Sequence, residues 1–476
     1  MKAFAFVRTS AWVWSLALAL APAARAESPS AGKVERKPNI VLIISDDLGY
    51  NDLGFQGSPD VRTPHLDALA RRGTRFTNAY VTGPICGPTR AGLISGRYQQ
   101  KHSYDGNPRP DQGLNLEEAT LADVLKAGGY ATCAIGKWHL GQKPEYLPPA
   151  RGFDEFFGFY GAMHSYLPGS VADDAKMVFE GTRRGRPEDN ANQPRRPGAL
   201  ERLGANGNNP PAGAAPGRII RGDAEVEEPE YLTKAFAREA VDFIERRKDQ
   251  PFFLYLAFNA SHSPLQPPAE YLARFPNLEG KRKAYAATTA AFDDAVGKVA
   301  DKVRELGLEQ DTIFYYTNDN GGPPNDIAAN NAPLSGTKFS LWEGGIRVPS
   351  FVTWPGHLPA GRDFETPVIS LDIFPTLLAA ARVDAPTSKQ LDGVNLLPAL
   401  EGGSLFWRLN QTWAIREGHW KLTLPERGES IQLFDLAADP AEEHDLAAQQ
   451  PAVVERLTQA WTRWNAQNLP AIPVAQ

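Results

Sequence analysis

"NIVLIISDD", residues 39 to 47, runs through five consecutive apolar residues and ends in two adjacent aspartates. Such a run reads as a buried β-strand whose end sets two carboxylates side by side. Three further runs share the pattern of apolar, β-rich residues closing on polar ones: "YATCAIGKWH" (130 to 139), "PFFLYLAFNASH" (251 to 262) and "DTIFYYTNDN" (311 to 320). Between them lie helical patterns: "PHLDALARRG" (64 to 73), "TLADVLKAGG" (120 to 129), "YLTKAFAREAVDFIERR" (231 to 247) and "AYAATTAAFDDAVGKVADKVRELG" (284 to 307). Strands alternating with helices imply an α/β fold, a large mixed and mostly parallel sheet sandwiched by helices. Ligands of such sheets sit at the carboxyl ends of the strands. Those ends gather Asp46, Asp47, Lys137, His139, His262, Asp319 and Asn320.

The chain has 476 residues, 42% hydrophobic and 22% charged, which suits a globular enzyme with one large domain and a smaller one. Residues 1 to 26 carry Lys2 and Arg8, a short apolar run and Ala24-Arg25-Ala26, the pattern of a secretory signal peptide. The expected product is exported, periplasmic or secreted. No apolar run is long enough for a membrane anchor in the mature chain. Loss of residues 1 to 26 removes three positive charges and no negative ones, taking the net charge from −6 to −9. That balance argues against nucleic acid as a partner, so an anionic substrate needs positive charge focused in the site. The catalytic domain is expected over 27 to 369, with an inserted loop over 183 to 217 that is rich in Arg, Asn, Pro, Gly and Ala. A C-terminal subdomain over 370 to 476 is expected to start with the helix "LDIFPTLLAAA" packed on the main domain. It continues with a small antiparallel sheet, built on "TWAIREGHWKLTL" and "IQLFDLAADP", and a last helix.

Three carboxylates at neighbouring strand ends repel by about 4 kcal/mol per close pair at an effective dielectric near 20. A single such aspartate is as often a turn or helix cap. Two pairs, Asp46-Asp47 and Asp319-Asn320, favour a cation, and an all-oxygen ligand set favours Ca²⁺ or Mg²⁺ over zinc. "GPICGPTRAGLISGRY" (83 to 98) reads as a turn leading into a helix with Cys86 near its amino end. A thiolate is favoured there, but sulfur is a poor partner for a hard cation, so something other than plain sulfur is expected. The only other cysteine, Cys133, lies in "YATCAIG" and reads as a small buried strand residue rather than a disulfide partner.

"CGPTR" followed by Ser95-Gly96-Arg97 is similar to the signature of type I, formylglycine-dependent sulfatases of the alkaline phosphatase superfamily. The resemblance extends through "ISDDLGYNDLG", "GYATCAIGKWHLG", "RGFDEFFGF", "NASHSPLQPP", "TNDNGG", "APLSGTKFSLWEGGIRVPSFVTWPG" and "LFDLAADPAEEHDLA", and is greatest toward the arylsulfatase A and N-acetylgalactosamine-6-sulfatase branch. It implies that Cys86 is converted to formylglycine (3-oxoalanine) by a formylglycine-generating or sulfatase-maturating enzyme. It further implies one Ca²⁺ held by Asp46, Asp47, Asp319, Asn320 and an oxygen of the modified Cys86. Arg90 would steady the aldehyde hydrate and the metal carboxylates, Lys137 and Lys338 would grip the sulfate, His139 would bond a hydrate hydroxyl, and His262 would protonate the leaving oxygen. His164 and Ser165 in "GAMHSYLPG" are candidates for substrate binding, and Phe339 and Trp342 are expected to pack beneath Lys338. The implied substrate is a sulfate ester, in this branch one of a sulfated carbohydrate. The rivals are a phosphonate or phosphodiester hydrolase of the same superfamily and a non-catalytic binding protein on a sulfatase scaffold.

Overall fold

The 39–45 run forms strand β1 (Asn39–Ser45), and the way its side chains divide explains the layers around it. Val41 and Ile43 enter one hydrophobic core, while Ile40, Leu42 and Ile44 enter another on the opposite face. A strand alternates its side chains, so a strand apolar at every position must be covered twice. The computed structural model describes residues 36–108, 111–167, 219–397, 403–426 and 428–470. The expected signal peptide (1 to 26) and inserted loop (183 to 217) lie outside the described residues.

Around β1 runs a ten-stranded sheet in the order β11-β2-β10-β9-β1-β8-β4-β5-β6-β7. Its other strands are β2 (Thr74–Phe76), β4 (Ala131–Lys137), β5 (Glu155–Phe159), β6 (Ile219–Arg221), β7 (Ala224–Val226), β8 (Phe252–Ala257), β9 (Thr312–Asn318), β10 (Ser350–Thr353) and β11 (Arg362–Phe364), while β3 (Ala79–Tyr80) and β12 (Val368–Ile369) form a separate parallel pair. The five central strands, β9-β1-β8-β4-β5, are parallel, and the antiparallel pairings lie toward the edges. The expected mostly parallel sheet is therefore present, wider than the four strong runs alone indicate. Its outer strands, three or four residues long, carry too little periodicity to stand out.

Helices α1 (Pro64–Arg71), α4 (Leu232–Arg247) and α5 (Gly280–Glu305) cover one face, and α2 (Cys86–Ser95), α3 (Leu121–Ala127) and α6 (Ile373–Ala381) the other. Each fully buried Leu, Ile, Val or Phe side chain contributes roughly 1.5 to 3 kcal/mol. Strands β13 (Leu405–Leu409), β14 (Thr412–Glu417), β15 (Trp420–Leu424) and β16 (Gln432–Asp435) form an antiparallel meander, followed by helix α7 (Pro451–Asn465). Trp413, Ile415 and Leu422 of this sheet pack on Leu457 of α7. Leu405, Trp407, Leu409 and Ala414 instead join a core with Ile85, Cys86, Leu341 and Ile346. The small sheet thus backs the segments that deliver Cys86 and Lys338.

Candidate active site

Four neighbouring parallel strands, β9, β1, β8 and β4, end on one edge and carry the residues read from the strand ends. Asp46 and Asp47 directly follow β1, Asp319 and Asn320 follow β9, Lys137 is the last residue of β4, and His262 lies five residues beyond β8. The strand ends are knitted together by backbone bonds. Asp46 N–H donates to Ala260 O (2.9 Å), Ser261 N–H to Asp46 O (2.7 Å) and Asp319 N–H to Ser45 O (3.2 Å). Asp47 and His139 both take left-handed backbone conformations, with φ of 59° and 57°. Such values are uncommon outside glycine and here redirect both side chains at the turn after a strand. Gly136, just before Lys137, has φ of 107°, and a Cβ there would meet Ala257 O at 1.9 Å. Glycine is required for β4 to approach β8 at the point where Lys137 turns into the site.

Cys86 is the first residue of α2, as expected, and is buried beside Asp46 and Asp319, with one ligand atom from each lying within 4.8 Å of the others. Arg90, one turn later, is fully buried. Its Nη2 and Nε donate to Asp319 Oδ2 at 2.8 and 3.0 Å, its Nη1 donates to Lys137 O at 3.2 Å, and Nη2 lies 3.9 Å from Asp46 Oδ2. Lys137 Nζ pairs with Asp46 Oδ2 at 2.6 Å, and Lys338 Nζ with Asp47 Oδ1 at 2.7 Å. Each of the three carboxylates therefore has its own side-chain cation, and the six groups sum to zero charge. Two oxygens are left over: Asp46 Oδ1 and Asn320 Oδ1 are buried with no hydrogen-bond partner, while Asn320 Nδ2 donates to Asp47 Oδ1 at 2.7 Å. Unpartnered buried carboxylate and amide oxygens facing a cluster of acids are what a hard cation requires.

The field sorts the titrating groups. Burial alone would raise Asp46 and Asp47, but Lys137 and Lys338 respectively, with His262, hold both below the usual carboxylate range. Asp319 is raised by burial and by the Asp46 charge. Burial pushes the Cys86 thiol up, against the pull of Lys137 and Lys338. His139 is held well below the usual imidazole range by burial, then by Lys137 and Arg90, so it is neutral, and neither ring nitrogen has a partner among the described residues. His262 Nδ1 lies 2.7 Å from its acceptor, Ser263 O, which leaves Nε2 facing the site 3.4 Å from Asp47 Oδ2.

His164 and Ser165 sit beside this constellation. The His164 ring packs on Phe159 with centroids 5.2 Å apart, and Ser165 Oγ donates to Gln266 Oε1 at 2.8 Å, so the serine hydroxyl serves the loop. Tyr166 OH reaches Asn259 O and, at 2.9 Å, His262 O, tying the 164–166 segment to the His262 turn. Phe339 lies under the Lys338 ammonium at 5.5 Å, but Trp342 packs against Phe434 of β16. Cys86 and Cys133 are both free and buried. Reading strand ends missed Asp52, Asn318 and Asn107. Asp52 accepts from Tyr285 OH (2.7 Å), Asn330 N–H (2.7 Å) and Arg282 (2.7 Å). Asn318 Nδ2 donates to Leu48 O at 2.8 Å. Asp52 carried a signal, as a further acid within "ISDDLGYNDLG"; Asn107, in a stretch without periodicity, carried none.

A family model described as Sulfatase matches residues 38–383. The chain belongs to the sulfatase family. This sulfatase is therefore a sulfuric ester hydrolase. It is 31% identical to N-acetylgalactosamine-6-sulfatase of Canis lupus familiaris over 430 residues, covering 86% of this chain and 75% of that one. It is 33% identical to arylsulfatase A of Bos taurus, covering 91% of this chain and 86% of that one. Its fold matches the crystal structure of Ps i-CgsB in complex with k-i-k-neocarrahexaose with a TM-score of 0.80 and 35% identity, covering 92% of this chain and 94% of that one. Among the described residues no helix is long and apolar enough to cross a membrane.

Proposed function

We propose that this sulfatase is exported and hydrolyses sulfate esters of a sulfated carbohydrate, with a hydrated formylglycine at position 86 as nucleophile and one calcium ion as cofactor. The observation that carries the reading is the position of Cys86, buried at the head of α2 beside Arg90, Lys137 and Lys338, with Asp46 and Asp319 in reach. A thiol whose ionisation burial disfavours is a weak nucleophile, which speaks against a plain cysteine hydrolase. A maturating enzyme is accordingly the implied partner. The names of the relatives, an N-acetylgalactosamine-6-sulfatase among them, and the oligosaccharide bound to the structural neighbour support a sugar substrate.

The oxygen set of Asp46, Asp47, Asp319 and Asn320 fits calcium, which when bound would add positive charge beside the sulfuryl group. When present, the aldehyde hydrate at position 86 would supply two hydroxyls, one as nucleophile toward sulfur and one whose proton loss would break the carbon–oxygen bond to the sulfate. Lys137 and Lys338 hold sulfuryl oxygens and stabilise the charge that moves toward the leaving oxygen. Arg90 keeps Asp319 and the Lys137 carbonyl in place. His139, neutral and with ring nitrogens open, accepts the second hydroxyl's proton. His262 gives a proton to the leaving alcohol through Nε2, its Nδ1–H being held by Ser263.

The test is sulfate release from defined sulfated mono- and disaccharides by matured enzyme, with calcium present and after chelation. Turnover of aryl sulfates alone would leave the carbohydrate reading unsupported. Full activity after chelation would remove the metal from the mechanism. Faster turnover of aryl phosphonates than of the paired aryl sulfates would favour the phosphonate rival.

A further inference from the structure

Helix α2 starts without a side-chain cap of its own, because its N-cap is Ile85. The first-turn N–H of Gly87 instead donates to Oδ1 of Asn107, 3.1 Å away and twenty residues downstream. The same Oδ1 lies 3.8 Å from Cys86 Sγ and accepts from it. The approach depends on the glycine: a Cβ at position 87 would meet Asn107 Oδ1 at 2.8 Å and Pro108 Cδ at 3.1 Å. Asn107 brings a neutral acceptor in direct contact with the side chain at position 86.

A geminal diol carries two chemically equivalent hydroxyls, yet the proposed reaction uses one to attack and the other to eliminate. Something must tell them apart. We infer that Asn107 is a positioning residue for the nucleophile, its amide oxygen taking a hydrogen from the side chain at position 86 and so fixing which hydroxyl faces the sulfuryl group. The inference rests on the formylglycine reading. The substrate does not enter into it, because the contact is made within the protein.

The experiment compares Asn107→Ala and Asn107→Asp with the parent, each expressed with the maturating enzyme. The readouts are kcat and KM on an aryl sulfate, melting temperature, and the aldehyde fraction of the Cys86 peptide by mass. For Asn107→Ala, kcat should fall about tenfold, as expected for one lost hydrogen bond to the reacting group, with KM within about twofold. Its aldehyde fraction should equal the parent's. Asn107→Asp keeps an acceptor for both Gly87 and position 86, so kcat should return to within about threefold of the parent. Its KM should rise, because the added charge repels the substrate anion equally in ground and transition states. An Asn107→Ala enzyme at parental kcat, an Asn107→Asp enzyme no faster than Asn107→Ala, or a kcat loss that only tracks a lost aldehyde fraction would each overturn the inference. Active parent carrying an intact Cys86 thiol would overturn the formylglycine reading itself, and the mass measurement shows that failure apart from the kinetics of the variants.

Discussion

Cys86 and Cys133 are both buried free thiols, and burial raises both, yet their surroundings differ. Cys86 faces Lys137 and Lys338, whereas Cys133 sits within β4 in an apolar core. In protein made with a maturating enzyme, the Cys86 peptide should show an aldehyde mass and react with hydrazides, while Cys133 stays a thiol. The Cys86→Ser variant should fold yet stop after one turnover, because a sulfated serine has no second hydroxyl for elimination. Pre-steady-state sulfate transfer to the protein checks it, and sustained turnover would count against the mechanism. His262→Ala should lose about 10² to 10⁴ in rate on esters of poor leaving groups and far less on activated aryl esters. Equal losses on both would show that His262 donates no proton to the leaving oxygen.

Helix α1 shows how one element is fastened to another through a buried acid. Its first-turn N–H groups, from His65 and Leu66, donate at 3.1 and 2.8 Å to Asp293 of α5. Burial outweighs these bonds and pushes Asp293 up to about 7, with Asp67 and Asp294 adding repulsion. A carboxylate raised on folding favours the folded state below its ordinary value of 3.8, and that contribution is lost as pH rises through about 7. The loss is at most about 4 kcal/mol, taking 1.36 kcal/mol per pH unit. Melting temperature should accordingly decline across this window less steeply in Asp293→Asn than in the parent, as scanning calorimetry at a series of pH values would show. Parallel curves for the two proteins would mean that Asp293 is ionised in the folded state at lower pH.

Beyond single elements, the C-terminal meander is joined to the 335–343 segment by charge as well as by apolar packing. Lys421 of β15 is fully buried between Glu343 (3.0 Å) and Glu442 (2.7 Å), and Glu442 Oε2 accepts from the Glu343 N–H at 2.7 Å. Tyr80 OH donates to Glu343 Oε2 at 2.6 Å, and Ser335 Oγ donates to Ala441 O at 2.5 Å. These bonds bracket the 335–343 segment that carries Lys338. Lys421→Met leaves two buried carboxylates without their shared cation, at a cost of about 3 to 5 kcal/mol. Its melting temperature should fall, and Lys421→Met combined with Glu442→Gln should recover part of the loss. A Lys421→Met protein as stable as the parent would show that the triad holds nothing.

The central strands and main helices were legible because their periodicities are local: five apolar residues in a row, ending in polar ones, read as a strand covered on both faces, and glycines follow α1, α3 and α5. The strand-end rule then brought Asp46, Asp47, Lys137, His139, His262, Asp319 and Asn320 together without any distance being known. Contacts between residues far apart in the chain have no such local trace. That Lys137 pairs with Asp46 and Lys338 with Asp47, that Ser165 bonds Gln266, and that Asn107 caps the helix of Cys86 depend on how loops are folded back over the sheet. Loop paths are set by long-range packing, as with the buried Lys421 triad, and that packing has no period along the chain for a sequence to display.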